Sequence, residues 1–485
     1  MIRTIQESPL YPIANPRSIT IFGASNNHRR MGSILLSSLE TSGFAGNIYP
    51  VHLNEKEVQG HRAYAGVADL PEIPDLAIIV LPADIVCRTM EECGKKGIRH
   101  AIVVSGGFRE AGPAGKERQK ELEAIARRYS IRFLGPNCLG IANLHHHLNP
   151  TPILAEGPAG FVGLASQSGS FITQMFHYLY HQGLGFSTAF SVGNEANIDI
   201  VDCLAYLGAC PHTKVITLYI EGIARGQEFI KTAKAITPRK PIIALYVGGS
   251  EAGKRAGFSH TGSLAGSDEV YNGMFRQCGI IRAQTIAELF DYALALGTLP
   301  RPAGNRVIIQ THSGGPGATA ADSCGRMGLD LPPLSAETVE KLRPIVPQTA
   351  STANPVDMTF SNNPMDFFSK IPQILLQENN ADMLMVYFLT PAIFITRALE
   401  NMGVPQDEIE GKAEKMIKEH TDAFFNLAKG QQKPIIGYTY RILQEQMVRD
   451  LLHRGVPIYP DPERAARSIG ALIEYYRMRD QMGGI

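Results

Sequence analysis

The chain has 485 residues, 44% of them hydrophobic and 19% charged, and its 46 lysines and arginines are balanced by 46 aspartates and glutamates. That composition fits a globular protein of about three domains, and without a basic arm or stripe it argues against a nucleic-acid partner. No apolar run approaches the roughly 18 residues of a membrane span, the first eight residues lack a signal-peptide core, and seven scattered cysteines without a Cys-x-x-Cys pair point to reduced thiols in the cytoplasm.

Pro16 to Phe22 reads as a short strand, followed by the turn Gly23-Ala-Ser-Asn-Asn-His-Arg-Arg-Met-Gly32 and a helix to about Leu39. Strand, glycine turn and helix is the phosphate-binding arrangement of doubly wound sheets. The second strand, Ile48 to Val51, is followed by His52, Leu53 and Asn54, with no carboxylate for a ribose. That counts against NAD, while Arg29 and Arg30 suit a ligand with extra phosphate. The alternation continues with a strand at 76–81 ended by Pro82, and a helix from Ala83 to Lys96. A strand at 100–105 then ends in Gly106-Gly107-Phe108. A helix from about Gly115 to Tyr129 follows, and a strand at 131–134 leads into Gly135-Pro-Asn-Cys-Leu-Gly140. Ligands of open α/β sheets bind at the carboxyl ends of the strands, which places Gly23, Pro82, Ser105 and Asn137 along one edge.

Residues 143–159 read as a linker broken by Pro150, Pro152 and Pro158, with His145-His146-His147 in a solvated loop. The pattern restarts with a strand at 160–165. The turn Ser166-Gln-Ser-Gly169 then opens a helix to about Gln182, whose free N–H groups and positive dipole end form an anion site. Strands follow at 187–192, at 215–220 ending in Glu221-Gly222, and at 241–247. Next comes a loop of glycines, hydroxyls and one histidine, Ser250 to Gly266, containing Ser259-His-Thr-Gly-Ser-Leu-Ala-Gly266. Glycines let such a loop turn many N–H groups toward an anion. Glu221, at the end of one strand, and His260, just past the next, are expected to pair. A carboxylate accepting Nδ1–H leaves Nε2 free as a nucleophile.

A second linker at 297–305 precedes a strand at 306–310 and the turn Thr311-His-Ser-Gly-Gly-Pro-Gly317, which opens a helix to about Gly328. His312 in this turn reads as structural. Strands at 383–389 and 434–438 and helices at 408–428 and 462–477 complete this part, with Asp461 as N-cap and Pro462 at N1 of the last helix.

Taken in order, Gly23-Ala-Ser25, Gly135-Pro-Asn-Cys-Leu-Gly-Ile141, Ser166-Gln-Ser-Gly169, Ser259-His-Thr-Gly-Ser-Leu-Ala-Gly266, Gly314-Gly-Pro-Gly317 and Asn354-Pro-Val-Asp357 resemble the NDP-forming acyl-CoA synthetases. Within them the likeness is to the α subunits of ADP-forming acetate–CoA ligases, relatives of succinyl-CoA synthetase, and it covers nearly the whole chain. The resemblance implies three Rossmann- or flavodoxin-like, doubly wound parallel-sheet domains: a CoA-binding domain at 1–145, a ligase domain with the phosphohistidine loop at 158–298, and a second flavodoxin-like ligase domain at 303–485. It implies His260 as the phosphorylated histidine and Glu221 as its orienting carboxylate. Gln167, Ser168, Gly169 and Gly262 would hold phosphate. Gly23, Ala24, Ser25, Asn26, Arg30, Gly32, Val80, Pro82, Ser105, Gly106, Gly107 and Asn137 would hold CoA. The chain departs from the family pattern at Tyr246-Val-Gly-Gly-Ser250, where Lys-x-Gly-Arg is expected, at His312, where Asn is frequent, and at Asn197, where Asp is common.

Nothing in 303–485 reads as an ATP-grasp region. The resemblance therefore implies a partner β subunit carrying Mg-ADP or Mg-ATP, in a heterotetramer, with carboxylic acid, phosphate and CoA as the other reactants and no metal site on this chain. The alternatives are a non-catalytic CoA sensor or regulatory protein of the same fold and an NAD-dependent oxidoreductase.

Overall fold

A computed structural model describes residues 4–253, 266–359, 363–389 and 392–483. In chain order its strands are β1 (Ser18–Phe22), β2 (Asn47–Val51), β3 (Glu57–Val58), β4 (His61–Arg62), β5 (Leu76–Ile79), β6 (His100–Val103), β7 (Arg132–Leu134), β8 (Ile141–Asn143) and β9 (Val162–Ser166). These are followed by β10 (Phe186–Ser191), β11 (Val215–Ile220), β12 (Ile242–Tyr246), β13 (Ile281–Ala283), β14 (Val307–Thr311), β15 (Val356–Asp357), β16 (Met383–Tyr387), β17 (Ile435–Tyr438) and β18 (Ile458–Tyr459). The chain divides into two compact units, one through residue 180 and over 185–289, the other over 290–481 together with 181–184.

The first unit holds two large sheets and the short antiparallel pair β3-β4. One has the order β2-β1-β5-β6-β7 with every pair parallel. The other runs β13-β12-β11-β9-β10-β8 and is parallel except for β8, which pairs antiparallel with β10. The second unit holds a parallel sheet of order β15-β14-β16-β17-β18. Counted by their parallel strands, all three follow the flavodoxin-like order 2-1-3-4-5, so the α/β, doubly wound reading holds. Such a sheet has one switch point, between its first and third strands, where the connections leave in opposite directions and a crevice opens at the carboxyl ends. Here the switch points lie between β1 and β5, between β9 and β11, and between β14 and β16.

The strands sit inside because helices cover both faces of each sheet. β1, β5, β9, β10, β12 and β14 are buried along their whole length, which is why they read as apolar runs rather than alternating ones. The covering helices carry one apolar face each. In Ala83–Lys96 that face is Val86, Cys87, Met90 and Cys93, and the helix stops at Gly97 with φ +105°. In Gly169–Tyr180 it is Phe171, Ile172, Met175, Phe176 and Leu179. Within the first unit one apolar cluster runs without a break from Ile19 and Leu134 under the first sheet to Phe190 and Val192 under the second.

β8 places the chain in the second sheet before the proline-rich stretch read as a linker begins in earnest. Of the adjacent histidines, His145 and His147 are exposed and His146 is half-buried, in keeping with a solvated loop. His145 Nε2 lies 2.9 Å from Gly160 O and His146 Nε2 lies 2.8 Å from Pro16 O, so both rings tie the stretch to backbone.

Candidate active site

The carboxyl edge of the first sheet is shaped by close backbone approach at β1. Gly23 has φ +89°, and a Cβ there would lie 2.0 Å from Val80 O. A Cβ on Gly32 would lie 2.5 Å from the Gly23 carbonyl. Only glycine fits either position, and the start of the Met31–Thr41 helix therefore presses directly on the Gly23 turn. Ser25 is buried, with its amide on Ser33 Oγ at 3.0 Å and Ser33 Oγ donating to Ser25 O at 2.8 Å. The Asn26 side chain is occupied by Glu55 Oε2, Glu57 O and the Gln59 amide. These two side chains thus brace the turn and leave its backbone, not their own polar groups, to a ligand. His28, Arg29 and Arg30 are exposed. Arg30 is the N-cap of the helix, a place where a cation opposes the helix dipole and an anion is welcome.

Beside this turn lies a cavity of about 900 Å³ lined by Phe22, Val51, Leu53, Gly66, Leu81, Ile85 and Arg88 among others. It sits at the carboxyl ends of β1, β2 and β5, and its size suits a cofactor-sized molecule. Leu53 and Ile85 are exposed apolar side chains on its wall. Motif reading had no signal for these residues, because a wall of ordinary aliphatic side chains leaves no pattern.

The remaining edge loops are tied to one another. Ser105 Oγ donates to Leu81 O and accepts from the Leu81 amide, which joins the loop after Val80 and Pro82 to the one carrying Gly106 and Gly107. The Asn137 amide donates to Ser105 O at 2.9 Å, and Asn137 itself has φ +57°. Glu110 accepts from the amides of Gly107 at 2.6 Å and Phe108 at 3.1 Å. Burial pushes its carboxyl up, but hydrogen bonds from Asn194 and these amides outweigh it and hold it below the ordinary value.

The second sheet meets the same edge through residues 193–198. A Cβ on Gly193 would lie 2.4 Å from the carbonyls of Pro136 and Asn137. The amides of Asn194, Ala196 and Ile198 donate to the carbonyls of Pro136, Gly135 and Phe133. Asn197 Oδ1 accepts the Phe133 amide, and an amide side chain serves there as well as a carboxylate would. Asn194 Nδ2 reaches Glu110 Oε2 at 2.5 Å, and Asn137 Nδ2 reaches Asn194 Oδ1.

At the switch point between β9 and β11, Gln167 joins the two strand ends. Its Oε1 accepts from the amides of Glu221 and Gly222. Its Nε2 donates to Gly222 O and to Glu195 Oε2, both at 2.7 Å. Ser168 precedes the helix that opens at Gly169, and Ser166 Oγ donates to Ser168 O. The segment after Glu221 is held twice more. Tyr271 OH accepts the Ile223 amide at 2.9 Å, and Arg225 pairs with both oxygens of Asp199 and with Asp202. Asp199 also caps the Ile200–Ala209 helix in a capping box. His260 and Gly262 lie outside the described residues. Glu110, Asn194, Glu195, Arg225 and Tyr271 were not named as site residues, although Asn194 and Glu195 follow Gly193 directly at the end of β10, a signal that could have found them.

The arrangement provides an anion-binding helix start and a carboxylate at one switch point, with a nucleotide-sized cavity at the other. The comparisons with known proteins point the same way. The family model of a CoA binding domain matches residues 17–143, and that of a succinyl-CoA ligase like flavodoxin domain matches 159–296. The chain is similar to the α subunit of ADP-forming acetate–CoA ligase II of Pyrococcus furiosus, with 40% identity over 95% of this chain and 96% of that one. It is 36% identical to ADP-forming acetate–CoA ligase I of Archaeoglobus fulgidus, covering 96% of this chain but 63% of that protein. A solved structure of the dinucleotide forming acetyl-coenzyme A synthetase 1 of Ca. Korarchaeum cryptofilum, in complex with phosphate and ADP, superposes with a TM-score of 0.84 at 34% identity over 98% of both chains.

Proposed function

The chain belongs to the ADP-forming acyl-CoA synthetases, and we propose that it works as the CoA-binding, phosphohistidine-bearing subunit of such an enzyme. It is an acid–thiol ligase, interconverting acyl-CoA, ADP and phosphate with carboxylic acid, CoA and ATP. Its relatives are named as ligases, which favours catalysis over the sensor reading, and its first domain matches a CoA-binding model, which disfavours NAD.

The observation that carries the site assignment is Gln167. It holds the backbone of Glu221 at one switch point while residues 193–198 bind the Asn137 edge of the other sheet. CoA would lie along the first edge, its phosphates on the backbone of the Gly23–Gly32 turn beside Arg30 and its nucleotide end in the Val51–Ile85 cavity. Val80, Pro82, Ser105, Gly106, Gly107 and Asn137 would follow the rest of the molecule. A phosphate oxygen attacks the thioester carbonyl, the C–S bond breaks, and the CoA sulfur leaves as thiolate and takes up a proton. His260 Nε2 then attacks phosphorus and releases the carboxylate. Glu221 keeps the other ring nitrogen protonated, and the helix start at Gln167–Gly169 receives the phosphoryl oxygens. Splitting one transfer into two through a covalent intermediate is ordinary nucleophilic catalysis.

The phosphoryl group would pass to ADP on an ATP-grasp β subunit. The near-complete coverage of the separate Pyrococcus furiosus α subunit, against 63% of the Archaeoglobus fulgidus protein, supports that division. We divide this chain as 1–145, 158–298 and 303–485, each built around one of the three parallel sheets with β8 reaching from the first range into the second sheet, and place it in the cytoplasm. Seven free, buried cysteines agree with that placement, and among the described residues no helix is long and apolar enough to cross a membrane.

The test is acid-labile, base-stable phosphate on His260 by peptide mass spectrometry, after incubation with phosphate and a panel of acyl-CoAs, with and without a β subunit and Mg-ATP. Label on His260 with acyl-CoA supports the reading and names the acyl group. His260→Asn should abolish turnover and keep CoA binding, and persistent turnover would refute the mechanism.

A further inference from the structure

Residue 195 has φ +52°, a left-handed conformation that favours glycine, yet it carries a glutamate. Its partly buried carboxyl is fully engaged. Oε1 accepts the Ile200 amide at 2.8 Å, and Oε2 accepts Gln167 Nε2 at 2.7 Å. The side chain of Gln167 has two ends that look alike in shape and differ only in chemistry. With Nε2 donating to Glu195 and to Gly222 O, each at 2.7 Å, Oε1 faces the amides of Glu221 and Gly222, which need an acceptor, and Glu195 is the charged one of the two groups that hold Nε2. Turned over, Gln167 would present N–H to N–H at both amides.

We propose that Glu195 is a positioning residue: its carboxyl holds the Gln167 amide in the one orientation that fixes the Glu221–Gly222 backbone and so aims the carboxylate expected to orient His260. The hydrogen-bond geometry stands by itself, and the catalytic consequence rests on the function proposed above.

Both neighbours of the carboxyl are donors. The amide of a glutamine at 195 would set its N–H group against one of these donors, so that either Ile200 is released or Gln167 is free to turn, and an acid proton leaves the carboxyl a weaker acceptor for both. The groups facing Glu195 are Asp199 and Cys203 from its own segment and helix, Arg109 from the 109–111 turn, and Tyr271 from the Asp268–Cys278 helix. Glu221 lies across Gln167, and Arg225 is bound to Asp199. Burial raises the carboxyl to about 7, Asp199 adds to this, and the Gln167 and Ile200 hydrogen bonds and Arg109 oppose it. The strap is then made above that pH and loosened below it.

The experiment is hydrogen exchange of the peptide spanning 219–224 in the full chain between pH 6 and 8.5, corrected for intrinsic rates, with Glu195→Gln beside the parent. In the parent, protection of the Glu221 and Gly222 amides should fall about fivefold from pH 8 to 6, one net hydrogen bond. Glu195→Gln should show the low protection at every pH. With the partner subunit, the acid limb of kcat that the parent shows should be absent in the variant, while KM for CoA stays within twofold. Protection in the parent that is independent of pH overturns the proposal, as does a variant that behaves like the parent. If the variant does not fold, the exchange series on the parent decides. Exchange needs no turnover, so missing phosphate on His260 sinks the functional reading and leaves this one to be judged by its own result.

Discussion

Gly32→Ala tests the CoA edge at its tightest point. The added methyl would lie 2.5 Å from the Gly23 carbonyl and 2.7 Å from the Ala24 amide nitrogen, where ordinary contact begins at 3.4 Å. Both obstacles are backbone, so no side chain can swing aside, and the helix start must retreat from the turn by about 0.9 Å. Overpacking of this kind costs about 1–3 kcal/mol. Replacing a helical glycine returns about 0.5–1 kcal/mol, leaving a net loss of about 0–2.5 kcal/mol. CoA binding should suffer more than folding. Ser25 and Asn26 are committed elsewhere, so the neutral contacts the turn can offer phosphates are backbone N–H groups, beside the exposed Arg29 and Arg30. Losing one hydrogen bond to a charged group costs about 1.5–3 kcal/mol, so Kd should rise by about 10- to 100-fold. Titration calorimetry with CoA on the parent, Gly32→Ala and Gly273→Ala measures this. The last variant is the control, since its methyl would enter open space. If folded Gly32→Ala binds CoA within twofold of the parent, the phosphates do not use this turn and the assignment fails.

Two further outcomes concern the second unit. Asp291 is buried and takes a bidentate pair from Arg464, Nε and Nη2 each at 2.7 Å. Asp291→Asn removes the buried charge that faces the partly buried guanidinium and should destabilise by up to about 3–5 kcal/mol in urea, and an unchanged midpoint would contradict the pairing. His312 stacks on Phe367 with its Nε2 buried, and burial holds its pKa down at about 4. The unfolded histidine takes its proton near 6.5, so acid favours the unfolded chain. The stability at stake is lost as pH falls from about 6.5 to about 4, up to about 3 kcal/mol. Urea midpoints of His312→Phe should match the parent at pH 8 and exceed it at pH 4.5. Parallel curves at the two pH values would refute this.

Most strands were legible because they are buried on both faces and end in residues that cannot continue them. Ala83–Lys96 is framed by Pro82 and Gly97, and both ends can be read directly. Shorter pieces such as β8, β15 and β18 carry too few residues to show a period, although Gly140, Pro355 and Pro457 precede them. The helices Ile200–Ala209 and Gly226–Ile236 were not anticipated. The first is apolar over most of its length, so its period is masked.

The sequence by itself determined the alternation of strand, turn and helix and the turns at the strand ends, because strand burial, glycine turns and proline stops are local properties, while the count of three doubly wound domains came with the family resemblance. It could name Gln167 and Glu221 as candidates from their places after strands. The tertiary structure alone decided what those side chains do. Gln167 and Glu221 are 54 residues apart and Asn194 and Glu110 are 84 apart. Nor could any local pattern show that Asn26 is spent on bracing its own turn or that Glu195 sets the orientation of Gln167. A hydrogen-bond donor or acceptor is assigned its role only by the group that faces it, and that group is supplied by the packing of one strand end against another.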